Sequence, residues 1–296
     1  MPYLSSMANG ATLAHRMRAL LVLGRISNLP TVWSNCLAAW LLNGGGGWRS
    51  FFLLCLGATL LYTGGMFLND AFDVEFDRKY RSERPIVSGL ISLLFVWIAG
   101  GLLLVFGALA FLTLNTVAAG FAALLVICIV AYNAVHKKTR LAPLLMAGCR
   151  FLLYLAAGSA ARSGVGELVV LFALALFCYI LGLSYFARVE STGGLVSRWP
   201  AALLFVPVML ALICHGRPAT QFWIAVAVQP LWVLWCLTTR LRGDKGLLSS
   251  GVAGLLAGIP FVDWLAVGCC ASPGLGLAFP ALFFLALITQ RVAPAT

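Results

Sequence analysis

Long runs of apolar residues, separated by short stretches of glycine, proline and charged residues, follow one another along most of the chain. Several runs reach the ~18–20 residues that a helix needs to cross the hydrocarbon core of a bilayer. Their ends predict spanning segments at residues 28–43, 50–68, 90–112, 115–135, 141–161, 167–186, 199–215, 219–239, 248–270 and 274–290. The pattern predicts nine to ten transmembrane helices, because Pro260 and Asp263 leave open whether the last two segments form one broken helix.

The spanning segments are predicted to be helices rather than strands. Inside a bilayer every backbone polar group needs a partner within the protein, which helices and closed barrels provide. The chain lacks the alternation over ~10 residues that marks the strands of a membrane barrel. We therefore predict an all-α fold in one integral membrane domain over residues 1–296, with a leader at 1–27, a helical bundle at 28–290 and a tail at 291–296. Within the leader, His15 to Ile26 form either a short interfacial helix or a frayed segment.

Composition and charge place this bundle in a membrane. Of the 296 residues, 62% are hydrophobic and 10% are charged, whereas soluble domains are about 45–50% apolar. If the N-terminus is cytoplasmic, 16 of the 20 Lys and Arg residues fall in cytoplasmic connections and termini, as expected for a multi-pass protein of the inner or plasma membrane. The net charge of +11 then reflects topology and contact with anionic lipids of the bilayer, and indicates no nucleic-acid partner.

Five of the nine carboxylates lie within fourteen residues after the second predicted span: Asp70, Asp73, Glu75, Asp77 and Glu83. If that span continues helically, Asn69, Asp73 and Asp77 share one face because they are four residues apart. Magnesium takes oxygen ligands and bridges a few carboxylates to substrate phosphates. These three residues, named the acidic column below, therefore predict a magnesium-diphosphate site on the cytoplasmic side. Asp70 is predicted to be a supporting or additional ligand. A solvated juxtamembrane loop is the alternative explanation.

Three motifs carry a resemblance to a known family. Asn69-Asp-x-x-Asp73-x-x-x-Asp77-Arg78, followed by Arg84-Pro-Ile-Val-Ser-Gly, resembles the first aspartate-rich motif of the UbiA superfamily of intramembrane prenyltransferases. Arg25-x-x-Asn28-Leu-Pro and Tyr132-Asn-x-x-His-Lys137-Lys138 are also similar to that family. The resemblance implies a helical bundle around a central cavity. Such a bundle binds a polyprenyl diphosphate through Mg²⁺ and transfers the prenyl group to a small acceptor.

The resemblance also implies roles for individual residues. Asn69, Asp73 and Asp77 are the predicted ligands of the first metal, and Asp73 and Asp77 are predicted to act in catalysis. Basic side chains at the same membrane face are suited to the diphosphate oxygens, and aromatic rings are suited to shielding a cation. The predicted substrate-binding residues are Arg25, Asn28, Asp70, Arg84, Tyr132, Lys137, Lys138, Arg150, Tyr185 and Arg188. For Lys137 and Lys138 the alternative role is to set the membrane topology. For Tyr185 the alternative role is to anchor the protein at the membrane interface.

Two charged residues inside predicted spans are interpreted separately. Arg150 lies in the fifth span, where a charge is costly and commonly faces an internal cavity. It either lines the site or has a structural role. Asp263 lies in the ninth span, towards the outer half of the membrane and away from the acidic column. We predict a structural hydrogen-bonding role for Asp263.

The chain departs from the family in the second motif, where an aspartate pair is replaced by Gly182-Leu-Ser-Tyr185-Phe-Ala-Arg188-Val-Glu190. Glu190 is the predicted second-site metal ligand and a predicted catalytic residue. Alternatively, Arg188 replaces one magnesium as the counter-charge of the diphosphate, or the second half of the site has lost its catalytic function. A surface ion pair between Arg188 and Glu190 is the structural explanation without a catalytic role.

The leading hypothesis is an integral membrane prenyltransferase that ionises a magnesium-bound polyprenyl diphosphate and alkylates a small acceptor. The alternative is a non-catalytic protein that binds or transports an isoprenoid or lipid and retains only the first diphosphate site. A secondary transporter is a weaker possibility, because the two halves show no matching pair of broken helices. The sequence does not identify the acceptor.

Overall fold

Helices form every regular element in the residues that the computed structural model describes, 13–192, 199–214, 219–241 and 251–293, without the side chains of 189–192 and 240–241. This confirms the all-α prediction. The helices are α1 (Leu13–Leu23), α2 (Leu29–Leu42), α3 (Trp48–Phe72), α4 (Val74–Tyr80), α5 (Leu93–Leu112), α6 (Thr116–Val135), α7 (Ala142–Ser159), α8 (Glu167–Thr192), α9 (Trp199–Leu203), α10 (Val206–Cys214), α11 (Thr220–Leu241), α12 (Val252–Ala257), α13 (Ile259–Val267), α14 (Pro273–Gly276) and α15 (Ala278–Gln290).

Each predicted segment coincides with one helix or with a broken pair of helices. Seven helices in the described part of the chain are long and apolar enough to cross a bilayer, as expected for a multi-pass membrane protein. The predicted count of nine to ten spans is not confirmed. Helix α2 has only 14 residues, and the apolar segments Trp199–Cys214 and Val252–Val267 are also short. Proline near the start of α10 and α13 accompanies these breaks, because proline removes a backbone donor.

Two short helices, α2 and α13, lie at the centre of the bundle. Ten of the 14 residues of α2 are buried, and so are all nine residues of α13. A helix that is buried all round needs neighbours on every side, and α2 contacts α3, α7, α13 and α15. The polar side chains on α2 and α13 are therefore shielded from lipid by the longer helices.

Helices α3 and α5 approach each other closely through glycine. A Cβ atom added to Gly64 would lie 2.9 Å from the carbonyl oxygen of Gly100, and one added to Gly100 would lie 2.9 Å from Leu68 Cδ2. Small residues permit such contacts between membrane helices. The contact fixes the end of α3 that carries Asn69.

Replacing Gly100 with valine is expected to destabilise the protein by about 1–3 kcal/mol, because the added Cβ would lie 2.9 Å from Leu68 Cδ2 and 3.3 Å from the Gly64 carbonyl oxygen. Thermal unfolding in detergent measures the effect. Gly101→Val is the matched control on the next residue of the same helix, where an added Cβ has nothing within 4 Å. Equal melting temperatures for the two variants would contradict the close packing.

Helix α1 packs on the end of the bundle that carries the acidic run. Its side chains Ala19 and Leu23 join a cluster with Phe67, Ala71, Ile91 and Val96. Of the two possibilities for this segment, the structure shows a helix. The chain then turns at Arg25, whose φ of 41° and ψ of 50° are left-handed. A non-glycine residue held in this region costs about 1–3 kcal/mol, so the surrounding contacts hold Arg25 at the end of α3.

Candidate functional site

The three residues of the predicted column lie on consecutive helical turns at the junction of α3 and α4. The Asp73 amide donates to the Asn69 carbonyl at 3.0 Å, and the Asp77 amide donates to the Asp73 carbonyl at 2.9 Å. The helical turn therefore continues through Asp73, although α3 ends at Phe72. Asn69 is 5% exposed and Asp77 is 4% exposed. Their side chains thus lie inside the end of the bundle and not in a solvated loop.

Asp70 sits between two arginines. Arg25 Nη2 lies 3.7 Å from Asp70 Oδ1, and Arg84 Nη1 lies 3.6 Å from Asp70 Oδ2. Arg25 Nη2 also donates to Asn69 Oδ1 at 3.2 Å. Because each carboxylate oxygen faces a guanidinium, Asp70 acts as a tether that holds both arginines beside the column.

Two nitrogen-bearing side chains from the turn that follows α6 meet Asp73. Lys137 Nζ lies 2.7 Å from Asp73 Oδ1, and His136 Nε2 lies 3.3 Å from the same atom. Burial of Asp73 opposes its ionisation, but hydrogen bonds from His136 and Lys137 outweigh burial and lower the pKa of the Asp73 carboxyl. The Lys137 ammonium also lies 3.8 Å from the centre of the Phe76 ring. Asp73 is therefore an ionised carboxylate with the Lys137 ammonium and the His136 ring beside it.

Asn133 and His136 are site residues that the sequence analysis did not select. Asn133 Oδ1 accepts a hydrogen bond from Asn69 Nδ2 at 3.1 Å, and Asn133 Nδ2 donates to the Gly65 carbonyl at 3.0 Å. The His136 ring stacks on Tyr132 with centroids 5.1 Å apart. The sequence contained a signal for both residues. His136 follows Asn133 by three positions and Tyr132 by four, a spacing that brings side chains together on one face of a helix.

The other predicted residues lie at various distances from this centre. Lys138 is exposed, although its neighbour Lys137 reaches Asp73. Arg188 Nη1 donates to the Thr139 carbonyl at 3.2 Å, which brings the end of α8 beside the turn that carries Lys137. Tyr185 packs against Trp199 with ring centroids 5.0 Å apart, and among the described residues none of its contacts places it at the acidic column. The side chain of Glu190 lies outside the described residues.

Asn28 and Arg150 lie deeper in the bundle, beside an internal cavity. Asn28 Nδ2 donates to Tyr62 Oη at 3.1 Å. The cavity has a volume of about 80 Å³ and lies between α2, α3, α6 and α7; its lining includes Tyr62, Met66, Tyr132, Asn133, Met146 and Arg150. Since Asn133 also bonds to Asn69, the cavity adjoins the acidic column.

The column fits a cation that completes its coordination with substrate. Among the described residues, no group of three or more His, Cys, Asp or Glu side chains could by itself hold a metal ion. Asp77 Oδ1 is nevertheless buried and has no hydrogen-bond partner in the described part of the chain. A buried polar atom without a hydrogen-bond partner lowers the stability of the folded protein. One amide and two carboxylates form an open set of hard oxygens, which suits magnesium with water and phosphate as further ligands.

The sequence is similar to those of known proteins. The sequence matches the profile of the UbiA prenyltransferase family over residues 27–197. It is 30% identical over 245 residues to the 4-hydroxybenzoate octaprenyltransferase of Polaromonas naphthalenivorans, covering 73% of this chain and 83% of that relative. It is also 31% identical over 88 residues to the digeranylgeranylglyceryl phosphate synthase of Sulfolobus acidocaldarius, covering 30% and 32% of the two chains.

Solved structures share the fold. A UbiA homologue from Aeropyrum pernix K1 superposes with a TM-score of 0.64 at 17% identity, covering 91% of this chain and 98% of that one. A UbiA homologue from Archaeoglobus fulgidus bound to GPP and Mg²⁺ gives a TM-score of 0.62 at 14% identity, covering 89% and 99%. At these identities the likeness concerns the fold. Together with the family match, it shows that the chain belongs to the UbiA prenyltransferase family and confirms the prediction that it is a prenyltransferase.

Proposed function

We propose that the protein binds a polyprenyl diphosphate with Mg²⁺ at the acidic end of the bundle and transfers the prenyl group to a small acceptor within the membrane. The observation that carries this proposal is the column of Asn69, Asp73 and Asp77 with cationic side chains around it. The named relatives support the transfer reaction. The A. fulgidus homologue with GPP and Mg²⁺ supports the metal. The excess of basic residues at this end favours a cytoplasmic orientation.

The metal would be held by Asn69, Asp73 and Asp77, where it would neutralise charge on the departing diphosphate. Arg25 and Arg84, which Asp70 holds in place, bind the remaining diphosphate oxygens. Lys137 has a flexible stem, so its ammonium turns from Asp73 to the diphosphate when the donor binds. These side chains thus surround a substrate that carries several negative charges.

The proposed reaction conserves atoms and charge. The bond between C1 of the prenyl group and its oxygen breaks, and both electrons leave with the diphosphate. The allylic cation then forms a bond to a nucleophilic atom of the acceptor, whose proton passes to the released diphosphate. Tyr132, whose ring stacks on His136, would shield the cation. Glu190 would serve as the ligand of a second metal. In the alternative arrangement Arg188, which bonds to the Thr139 carbonyl, replaces one magnesium as the counter-charge of the diphosphate.

The experiment for this function uses the purified full chain with labelled geranyl, farnesyl and geranylgeranyl diphosphates, with and without Mg²⁺. We expect diphosphate release that depends on magnesium and prenyl transfer to members of an acceptor panel. Tight binding of the donors without release or transfer would instead identify a non-catalytic isoprenoid-binding protein.

Lys137 and Lys138 give a matched test of donor binding. Replacing Lys137 with methionine is expected to raise the KM for the prenyl diphosphate by about tenfold, because a charge-assisted contact contributes about 1.5–3 kcal/mol. Lys138→Met removes an exposed charge and is expected to change KM by less than about threefold. Steady-state kinetics at saturating Mg²⁺ measures both variants. Equal effects would show that the lysines act only through the general positive charge of this face.

A further inference from the structure

Arg150 is a charged residue in the wall of an otherwise largely apolar cavity. It extends from α7 towards α2, where Nη1 donates to Asn35 Oδ1 at 2.7 Å and Nη2 donates to Thr31 Oγ1 at 2.9 Å. Both partners are neutral. Apolar neighbours in the same wall include Val32, Leu61, Met146 and Leu153. The guanidinium is therefore held firmly in position without a carboxylate bonded to it.

Asp263 lies nearby but faces α2. Its Oδ2 accepts hydrogen bonds from the Ser34 hydroxyl and from Asn35 Nδ2, the latter at 2.7 Å. Among the described residues, none of the ion pairs within 4.0 Å includes Arg150. Asn35 thus stands between the two charges, with its amide nitrogen towards Asp263 and its oxygen towards Arg150. Asp263 fixes the orientation of Asn35, and Asn35 fixes that of Arg150.

A guanidinium has five N–H donors in one plane. The bonds to Asn35 and Thr31 use one donor on each terminal nitrogen, and the Tyr62 ring lies 5.9 Å from the guanidinium carbon. The planar fork matches the two oxygens of a carboxylate or a phosphate. In an apolar cavity, such a contact is stronger than in water. The residue is therefore suited to bind an anionic group that enters the cavity.

The cavity also joins Arg150 to the acidic column. Its wall includes Tyr132 and Asn133, and Asn133 is hydrogen-bonded to Asn69. A small molecule held by Arg150 would thus extend towards the place where the prenyl donor ionises. We infer that Arg150 binds a carboxylate or phosphate group of the acceptor and so makes the enzyme selective for anionic acceptors. This inference rests on the proposed function, because it names the class of that acceptor.

The test compares acceptors that differ in charge alone. One pair is 4-hydroxybenzoate and 4-hydroxybenzamide. The other is geranylgeranylglyceryl phosphate and its dephosphorylated alcohol. Binding of each is measured to the protein loaded with Mg²⁺ and a non-reactive prenyl thiodiphosphate, and transfer is measured with the reactive donor. The two pairs distinguish an aromatic carboxylate from a phosphate ester as the source of the anion.

The wild-type protein should bind the anionic member of one pair about 10–100-fold more tightly than the neutral member. Arg150→Gln should remove this preference mainly through the affinity for the anion, and Arg150→Lys should keep part of it. Arg162→Gln is the matched control, since Arg162 is exposed three residues beyond the C-terminal end of α7, and it should leave the preference intact. Monodisperse elution and thiodiphosphate binding verify that the variants fold.

Two outcomes overturn the inference. One is a wild-type protein without preference in either pair, a measurement that needs no variant. The other is a folded Arg150→Gln variant that keeps the wild-type preference, which would make Arg150 a structural counter-charge of Asp263 only. Failure of the proposed function is distinguishable, because it appears as absent magnesium-dependent diphosphate release in the wild-type protein.

Discussion

Replacing Asp73 with asparagine is expected to lower the rate of magnesium-dependent diphosphate release by about a hundredfold to a thousandfold, the range for a group that stabilises developing charge directly. Asp73 lies in the middle of the column, between Asn69 and Asp77, and its pKa is below the ordinary value. The asparagine keeps the shape of the side chain and removes the charge. Release of labelled diphosphate, followed over a series of Mg²⁺ concentrations, measures the loss.

Glu75→Gln is the control for this substitution. Glu75 belongs to the same acidic run but is exposed on the first turn of α4, so its replacement removes one negative charge without touching the column. We expect a rate within about twofold of the wild-type value, since exposed charges contribute little. A comparable loss in the two variants would mean that the acidic run acts through its total charge and that the column has no special role.

Replacing Asp263 with leucine is expected to destabilise the protein by about 3–5 kcal/mol, because it leaves the buried charge of Arg150 without a counter-charge. Arginine cannot lose its proton in a protein, so Arg150 cannot neutralise itself. Ser34 and Asn35 would also lose the acceptor of their hydrogen bonds. Thermal unfolding in detergent and the yield of monodisperse protein measure the loss.

Two further variants decide the cause. Glu167→Gln removes an exposed acid at the start of α8 and is expected to change stability by less than about 0.5 kcal/mol. The double variant Arg150→Met with Asp263→Leu is expected to recover most of the stability, because well-packed apolar residues often replace a buried charge pair without loss. If the double variant is no more stable than Asp263→Leu, the two charges are not coupled.

Local spacing was sufficient to predict the helical geometry of the acidic run, whereas the ligand roles of its residues stay predictions. The four-residue repeat of Asn69, Asp73 and Asp77 predicted a column on one face, and the backbone bonds show that the turn continues as required. Asp263 was predicted to have a hydrogen-bonding role, which its contacts with Ser34 and Asn35 show. These predictions succeeded because each depends on helical periodicity or on the cost of a polar group in an apolar segment.

Contacts between helices could not be predicted in this way. Asn35 and Asp263 are 228 positions apart, and Asn69 and Asn133 are 64 apart. Their meeting depends on the crossing and rotation of whole helices, which a hydrophobic pattern does not specify. Lys137 and Lys138 are equivalent in the sequence and both are exposed, yet among the ion pairs of the described residues only Lys137 is paired with Asp73. The count of spans stays unconfirmed for a related reason, since buried short helices resemble membrane spans in composition.

The shortness of α13 has a consequence for biogenesis. Nine residues make a helix about 14 Å long, whereas the hydrocarbon core is about 30 Å thick. An aspartate at its centre opposes insertion by about 2.5–3.5 kcal/mol. The translocon would therefore insert an isolated α13 into the bilayer inefficiently. The partners of Asp263 lie on α2, which the ribosome makes long before α13, so the late segment enters a bilayer that already contains its hydrogen-bond donors. The hydrogen bonds from α2 to Asp263 would thus favour the insertion of α13 late in synthesis.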